Sequence, residues 1–469
     1  LGPDGQTRMG NGVYGIAITQ QAGGVNTIGG RLPGERNFIA ANGQYGISIE
    51  GDATGRSNVV KGNFVGLGDG DVAGTTAPAA VGNNAGGILV NAAAAQTIGG
   101  SELGEGNFIA ANNPDSQSAD GIQLTGAGHH KVVGNAIGGR PAATSGWPGN
   151  PSLATDTAGF GNGGAGVFID TASIGNITIG GTGPNDPNTI IGNGRQGINM
   201  AGTGIATVWG NRIGAGPTDA AGSSFVDLGN AAEGILISGA GANVIGGDLA
   251  HQGNIISGNG GHGINIPASG NNRIVRNKIG VDDTGQRAIA NDGNGVQITG
   301  TGANVLTANT ISGNAASGVY FRAGGRLVML ANFVGTNVID DDPTMDLAAV
   351  VRTANAALPN GTHGVNLPSG HTGELVLGDG TEANGNVIGG NVRNGVHIAG
   401  GNINDIHGNV IGLCTDCAIA IPNGGDGVYV ENLVKRHDAT NQTTTIPNPV
   451  GGVAAWGNAI HGNTIGGNT

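Results

Sequence analysis

Thirteen copies of a four-residue motif recur along this chain: Gly, an apolar residue such as Ile or Val, any residue, and a second apolar residue. Successive copies begin from 23 residues apart (Gly295 to Gly318) to 46 residues apart (Gly318 to Gly364). The copies occupy residues 15–18, 46–49, 87–90, 121–124, 166–169, 197–200, 234–237, 263–266, 295–298, 318–321, 364–367, 395–398 and 427–430. Repeats at this period predict a solenoid or another array of stacked units.

Two more short apolar runs accompany most copies of the motif. One run begins with Asn, any residue and an apolar residue. The other run lies between the Gly motif and this Asn-initiated run, as at residues 58–60 and 243–245. The first kind starts at Asn37, Asn63, Asn107, Asn135, Asn211, Asn254, Asn277, Asn309, Asn332, Asn386, Asn409 and Asn463. Runs this short, punctuated by Gly and Asn, exclude helices, and alternation with period 2 predicts strands with one apolar face. Each repeat is therefore predicted to form one coil of three short strands.

Stacked coils would pair each strand in parallel with its equivalents above and below, so that inward Ile and Val side chains share one core. Asn suits the bends because it tolerates left-handed backbone, and equal Asn residues one strand apart can form amide ladders. The 98 Gly residues among 469 have no three-residue period, which excludes collagen. No linker interrupts the repeat, so we expect residues 1–469 to form one elongated domain.

These motifs resemble the secreted bacterial right-handed parallel β-helix repeat proteins of the pectate-lyase-like superfamily, over essentially the whole chain. The resemblance implies an all-β fold, a single-stranded right-handed parallel β-helix (β-solenoid) with about 13 coils of three short strands. Because that superfamily includes lyases, hydrolases, epimerases, adhesins and phage spikes, it does not select an activity.

The two ends of the sequence resemble the two halves of a long loop between repeats. Residues 1–12 are similar to the back half of such a loop, and residues 463–469 to the front half. An uncapped solenoid end exposes unpaired backbone groups, and head-to-tail contacts that do not close give open fibres. We therefore predict uncapped ends, cut within a repeat, and head-to-tail self-association through the terminal coils. The alternatives are caps outside this sequence or loops that blunt the end coils.

Net charge and hydropathy limit the classes of partner and the cellular locations that we expect for this protein. The net charge is −13 with 11% charged residues and no basic patch, so we expect no nucleic-acid partner. No apolar run reaches the length of a membrane span, so no membrane span is expected. The chain begins at Leu1 without a visible signal peptide, which is typical of a processed secreted or cell-surface protein.

Long connections follow alternate repeats, and their acidic residues are the candidate metal ligands. The longest holds the cluster Asp340, Asp341, Asp342 and Asp346, and two others hold the pairs Asp69 with Asp71 and Asp282 with Asp283. Oxygen-rich clusters suit Ca²⁺, so the four-residue cluster is the predicted Ca²⁺ site, with solvated acidic turns as the alternative. No other cofactor is predicted. Insertions on one face of a repeat fold often form its binding face.

The two cysteines, Cys414 and Cys417, form a C-x-x-C pattern inside a long loop. A disulfide that closes the loop in an oxidising compartment is the simplest interpretation. Half of a zinc site would need two further ligands, for which His407 and His437 are the nearby candidates. A pair of free thiols is the remaining alternative.

The variable residue of each motif is predicted to face outward, on the side of the strand where sugar-acting β-helices typically work. This row is Ala17, Ser48, Leu89, Gln123, Phe168, Asn199, Leu236, Asn265, Gln297, Tyr320, Asn366, His397 and Tyr429. None is charged, so the face is expected to be neutral and to lack the carboxylate pair that glycoside hydrolysis needs. No catalytic residue is predicted, although His397 and Tyr429 could form a small polar site on nearby coils.

A second outward row, on the Asn-initiated strands, is apolar and begins with Phe38, Phe64 and Phe108. Such a stripe is either covered by loops or packs against another molecule. We predict an extracellular structural or adhesive β-solenoid that associates with carbohydrate or a cell surface and polymerises head-to-tail. A polysaccharide-active enzyme, lyase or glycoside hydrolase, with acids on the long loops is one alternative, and a receptor-binding spike is another.

Overall fold

A computed structural model describes residues 9–19, 24–51, 57–68, 79–139, 159–217, 225–268, 270–339, 352–400, 403–414, 419–431, 435–437, 443–445 and 458–468. The three strand types of the sequence repeat form three sheets of thirteen strands each, with parallel pairing between equivalent strands of successive coils. The predicted parallel β-helix of about 13 three-stranded coils is thereby confirmed. The chain divides into two compact units, Leu1–Ile264 and Asn265–Thr469.

Sheet 1 consists of the strands that carry the Gly motif: β1 (Ile16–Ile18), β4 (Tyr45–Glu50), β7 (Gly86–Asn91), β10 (Asp120–Thr125), β13 (Val167–Ile169), β16 (Ile198–Met200), β21 (Ile235–Ile237), β24 (Ile264–Ile266), β27 (Val296–Ile298), β30 (Val319–Phe321), β33 (Val365–Leu367), β36 (Val396–Ile398) and β39 (Val428–Val430).

Sheet 2 consists of the middle runs: β2 (Thr27–Ile28), β5 (Val59–Val60), β8 (Thr97–Gly99), β11 (Lys131–Val133), β14 (Ile177–Gly180), β17 (Ala206–Trp209), β22 (Val244–Gly246), β25 (Arg273–Val275), β28 (Ala303–Thr307), β31 (Arg326–Leu330), β34 (Glu374–Leu377), β37 (Ile403–His407) and β42 (Ala459–His461).

Sheet 3 consists mostly of the Asn-initiated runs: β3 (Phe38–Ile39), β6 (Phe64–Val65), β9 (Phe108–Ile109), β12 (Ala136–Ile137), β15 (Thr189–Ile190), β18 (Arg212–Ile213), β23 (Ile255–Ile256), β26 (Lys278–Ile279), β29 (Thr310–Ile311), β32 (Phe333–Val334), β35 (Val387–Ile388), β38 (Val410–Ile411) and β43 (Thr464–Ile465). Two antiparallel hairpins, β19 (Ala215–Pro217) with β20 (Phe225–Asp227) and β40 (Lys435–His437) with β41 (Thr443–Thr445), and the 3-10 helices Pro33–Glu35 and Glu382–Asn384 complete the described elements.

The interior of each unit is the aliphatic column that the alternation predicts. In the first unit, Ile122, Val208 and Ile213 represent the three sheets and are fully buried. The repeat glycine is required by close packing at the bend before sheet 1. A Cβ atom added to Gly197 would lie 2.6 Å from Ile213 Cγ2 and 2.8 Å from the carbonyl oxygen of Gly234. A larger residue there would push successive coils apart.

Buried asparagines form the predicted amide ladders along the bends, with side-chain hydrogen bonds of 2.7 to 3.0 Å. The first unit has two long ladders: Asn37, Asn63, Asn107, Asn135, Asn188, Asn211, Asn254, and Asn42, Asn83, Asn112, Asn162, Asn193, Asn230, Asn259. The second unit has the same two: Asn277, Asn309, Asn332, Asn386, Asn409, Asn463, and Asn291, Asn314, Asn360, Asn391, Asn423, Asn468. Most of these amides also donate to a backbone carbonyl, as Asn211 does to Ile179 and Asn309 does to Ile274, which satisfies buried polar groups at the bends.

Described residues of the long connections pack on the outer side of sheet 3. Their described parts begin and end in antiparallel bridges, such as Leu67 with Ala80 and Thr336 with Ala357. In the first unit, Phe64 and Phe108 are buried in a cluster with Leu67 and Leu228. The loop-covered interpretation of the Phe row therefore holds for these two rings, because the loops supply their apolar cover.

Candidate functional site

The exposed side of sheet 1 carries the predicted middle row of side chains. In strand after strand, the two apolar residues of the motif are buried and the residue between them is partly exposed. Strand pairing places equivalent residues beside one another, as for Gln123 beside Phe168 and for Asn366 beside His397. The residues predicted to form an outward middle row therefore do lie beside one another along sheet 1.

Two flanking rows widen this face, and the expectation of a neutral face was wrong because it considered the middle row alone. The strand β4 runs from Tyr45 to Glu50, one residue beyond the Gly motif at each end. Tyr45 pairs with Gly86, and Glu50 pairs with Asn91. The flanking rows add charged or titratable groups to the face, among them Tyr45, Glu50, Asp120, Asp170, His363 and Glu431. The signal was in the sequence: the residue before the repeat Gly is polar or aromatic in most copies.

In the first unit, a chain of hydrogen bonds crosses the face from one flanking row to the other. The Tyr45 hydroxyl donates to Gln123 Oε1, and Gln123 Nε2 donates to Asp170 Oδ2 at 2.8 Å. Asp170 Oδ1 accepts from the Ala172 amide at 3.2 Å and from the Thr171 hydroxyl at 3.0 Å. Both carboxylate oxygens of Asp170 are therefore already bonded within the protein.

Asp120 lies beneath this face and is 8% exposed. Burial raises the pKa of Asp120 to about 7, although a hydrogen bond from the Ala165 amide and the charge of Arg195 oppose the shift. Burial, with the nearby Asp120 and Asp170 charges, also raises the pKa of Tyr45 to about 12. Asp120 and Asp170 belong to opposite flanking rows, and the Asp170 charge contributes to the raised pKa of Asp120.

In the second unit, three rings form a stack on the same face. The His363 and His397 rings are 4.4 Å apart and 14° from parallel, and the His397 and Tyr429 rings are 5.7 Å apart and 5° from parallel. His363 is buried, and burial together with the neighbouring His397 and Arg393 lowers the pKa of His363 to about 4. The predicted pairing of His397 with Tyr429 is thus present, with His363 as a third member that the sequence prediction missed.

His397 is fixed by a bond at each ring nitrogen. Its Nδ1 lies 2.9 Å from Asn366 Oδ1, and its Nε2 lies 3.0 Å from Glu431 Oε1. A groove of about 370 Å³ lies over this group. The residues that line it are His363, Val392, Arg393, Asn394, His397, Gly424, Gly425, Tyr429 and Glu431. The groove offers planar hydrogen-bonding groups of both charge signs, side by side.

The acidic loop residues do not assemble into a described metal site. Asp340, Asp341, Asp342 and Asp346 lie outside the described residues, as do Asp69 and Asp71, so the Ca²⁺ site stays a prediction. Asp282 is described, and its Oδ1 accepts the Thr284 hydroxyl at 2.8 Å and the Gln286 amide at 3.1 Å. Asp282 therefore closes its own turn and has little capacity left for an ion.

Cys414 is buried in an apolar cluster on the outer side of sheet 3, with Phe333, Val338, Ala354, Val387 and Ile421. Its sulfur accepts a hydrogen bond from the Ile419 amide at 3.0 Å. Cys417 lies outside the described residues, so the disulfide between Cys414 and Cys417 stays a prediction. His407, a candidate zinc ligand from the sequence, lies beside Asp405 and His461 on sheet 2.

Part of the chain matches a known family model, and solved structures resemble the chain. Residues 247–344 match the family model described as periplasmic copper-binding protein (NosD). No curated protein matches the chain in sequence. The solved structures that resemble it include two mutants of the periplasmic alginate epimerase AlgG. One has 12% identity and a TM-score of 0.41 over 83% of this chain and 71% of that chain. The other has 11% identity and a TM-score of 0.39 over 89% and 77%.

The periplasmic location in the description of the matching family agrees with the predicted secreted or cell-surface location of this β-helix. In the described part of the chain, no helix has the length and hydrophobicity that a membrane span requires. The matched segment contains two histidines, His251 and His262. Within its described residues, no three His, Cys, Asp or Glu side chains converge as metal ligands do.

Proposed function

We propose that this exported β-solenoid is an adhesive, carbohydrate-binding protein, and that a polysaccharide chain binds in the groove around His397. The observation that carries the proposal is the groove itself, in which the stacked His363, His397 and Tyr429 rings lie next to Glu431 and Arg393. Binding sites are concave and contain a small number of placed polar groups.

The chemistry of the groove suits sugar hydroxyl groups. Carboxylate and amide oxygens accept hydrogen bonds from hydroxyls, and guanidinium and amide nitrogens donate to them. Glu431 and Arg393 supply one group of each kind, and Asn394 supplies both. Neighbouring strands are about 4.8 Å apart, a spacing close to the length of one pyranose unit. An extended polysaccharide can therefore repeat its contacts from one coil to the next.

Binding is expected to depend on His397, because its ring stacks between His363 and Tyr429 and contacts Glu431. Isothermal titration with oligosaccharides of alginate, pectate and a neutral glucan should find at least one ligand. His397→Ala should weaken that binding about tenfold or more, which corresponds to about 1.4 kcal/mol. Glu431→Gln should weaken it in the same direction.

Gln297→Ala is the matched control, since Gln297 lies in the middle row of the same sheet and unit but does not line the groove. It should bind as the unchanged protein does. Failure of every oligosaccharide to bind, or equal losses in His397→Ala and Gln297→Ala, would contradict the proposal.

Catalysis on a polysaccharide is the second candidate, favoured by one observation. His397 is oriented by Glu431 at 3.0 Å and is stacked on the Tyr429 phenol, so a base and an acid lie side by side. Lyase chemistry on a uronate creates a carbon–carbon double bond that absorbs ultraviolet light, and hydrolysis releases reducing ends. An adhesive protein shows neither signal during long incubation, whereas an enzyme shows one of them and loses it in His397→Ala.

We also propose head-to-tail self-association, which follows from the repeat pattern of the sequence. Sedimentation velocity of the 469-residue chain should show species that grow with protein concentration. A strictly monomeric chain at every concentration would contradict this assembly. A discrete trimer of fixed size would favour the receptor-binding spike instead.

A further inference from the structure

Two strands of sheet 2 bring three metal-binding side chains together. In β37, Asn404 and Ile406 are buried, so Asp405 and His407 point outward. The strand β42 pairs with β37 in parallel and places His461 directly beside His407. This cluster lies outside the segment 247–344 that matches the family model, and on a different sheet from the groove at His397.

The geometry of the cluster is close to that of a ligand set. One ligand atom from each of Asp405, His407 and His461 lies within 4.8 Å of the other two. His461 Nε2 is 3.1 Å from Asp405 Oδ1, and the two imidazole ring centroids are 3.9 Å apart. Bonds of about 2.0–2.2 Å to one ion place tetrahedral ligands roughly 3.3–3.6 Å apart. Small rotations of the Asp405 and His461 side chains would close the remaining distance.

His407 is held in place by backbone packing. A Cβ atom added to Gly380 would lie 2.3 Å from His407 Cε1, and one added to Gly462 would lie 2.8 Å from His407 Cδ2. The imidazole therefore lies between two glycines that both have positive φ values, 85° and 62°. Only residues without a side chain leave room for the ring there, so its position is fixed before any ligand arrives.

The polar atoms of the cluster lack the hydrogen bonds that a purely structural role would provide. Asp405 Oδ1 is covered and accepts no hydrogen bond, and His461 Nε2 lies 3.1 Å from it. Within the described residues, neither ring nitrogen of His407 has a hydrogen-bond partner. Asp379, the next carboxylate, is already bonded to Thr381 and Asn384. Asp405 Oδ1 and His461 Nε2 therefore face each other, with a ring nitrogen of His407 within 4.8 Å of a ligand atom on each.

We propose that Asp405, His407 and His461 bind a single divalent transition-metal ion of the Zn²⁺ or Cu²⁺ type. Two imidazoles and one carboxylate are the donors that Zn²⁺ uses in open sites, and imidazole also suits Cu²⁺. Water completes the coordination. Hard cations such as Ca²⁺ and Mg²⁺ prefer all-oxygen ligands, so they bind here weakly. The site is independent of the polysaccharide groove, and either one can fail without the other.

The test is metal binding by the full chain after treatment with a chelator. Titration with Zn²⁺ should find one ion per chain, and thermal melting should show a rise in Tm with the metal. His407→Ala and His461→Ala should each weaken binding at least tenfold and remove the rise in Tm. His129→Ala, at an exposed histidine in the other unit, is the control and should change neither value.

A spectroscopic measurement separates ligation from a structural effect of the substitutions. Cu²⁺ bound to the unchanged chain should show nitrogen hyperfine splitting from two imidazoles in its electron paramagnetic resonance spectrum. His461→Gln, checked by circular dichroism for an unchanged fold, should reduce this to one nitrogen. Absence of binding to the unchanged chain overturns the proposal. Undiminished binding in both histidine variants also overturns it, because the ion then binds elsewhere, as at Cys414 and Cys417.

Discussion

Replacing Asn211 by Ala is expected to lower the free energy of unfolding by on the order of 4 kcal/mol. Asn211 is fully buried, and its Oδ1 accepts from the Asn188 amide nitrogens of backbone and side chain at 3.2 and 2.9 Å. Its Nδ2 donates to the carbonyls of Ile179 and Trp209 and to Asn254. The substitution leaves several buried groups without partners, each at a cost of about 1–3 kcal/mol before any water enters. Urea denaturation measures the loss.

Asn185→Ala is the matched control, since Asn185 is only partly buried and donates one side-chain hydrogen bond, to the Ser101 carbonyl at 3.1 Å. Its effect should stay within about 0.5 kcal/mol. In stacked repeats a loss of stability affects the neighbouring coils first. Hydrogen exchange at the backbone amides of β14, β17 and β22 should therefore accelerate in Asn211→Ala. Equal stability of the two variants would show that the ladders contribute little.

Phe108→Ala is expected to destabilise the first unit by about 3–5 kcal/mol. Phe108 is 1% exposed and stacks on Phe64 with ring centroids 5.2 Å apart. Removing the ring leaves a cavity beneath the loop residues Leu67 and Phe160, which belong to the same cluster. The same urea denaturation measures the change.

Phe38→Ala is the control at the other end of this stack. The ring centroid of Phe38 lies 4.8 Å from that of Phe64, but Phe38 is 36% exposed. Its replacement by Ala therefore removes less apolar contact than that of Phe108. It should cost about 1 kcal/mol, in the range of a single aromatic pair. If Phe108→Ala were as mild as Phe38→Ala, the loops would not be acting as a cover for the Phe row.

The coil architecture could be predicted from the sequence because its determinants are local and repeated. Gly197 must lack a side chain where two coils approach closely, and Asn211 must be an amide because it bonds to the coils on both sides. Each requirement recurs in every coil, so the pattern appears in the sequence as a period. Parallel pairing then follows, since equivalent strands occupy equivalent positions.

The chemistry of the outer faces could be predicted only in part. The prediction of the middle row on sheet 1 was correct. Strands such as β4 and β10, however, extend one residue beyond the motif at each end, and these extra residues place Glu50 and Asp120 on the same face of sheet 1. The sequence makes Asp282 a candidate Ca²⁺ ligand, yet its carboxylate accepts a hydrogen bond from the backbone of its own turn, which composition cannot reveal. The meeting of His407 with His461 required knowledge of which strands pair, because 54 residues separate them in the sequence.

Hydrogen exchange with and without a bound oligosaccharide tests the central claim most directly. If the groove of the second unit holds a polysaccharide, the ligand should slow exchange at the amides of residues 392–394 and 424–431, which line or border it. Exchange along β37 and along the sheets of the first unit should stay unchanged. Slowed exchange confined to another surface, with residues 392–394 and 424–431 unaffected by a saturating ligand, would contradict the account.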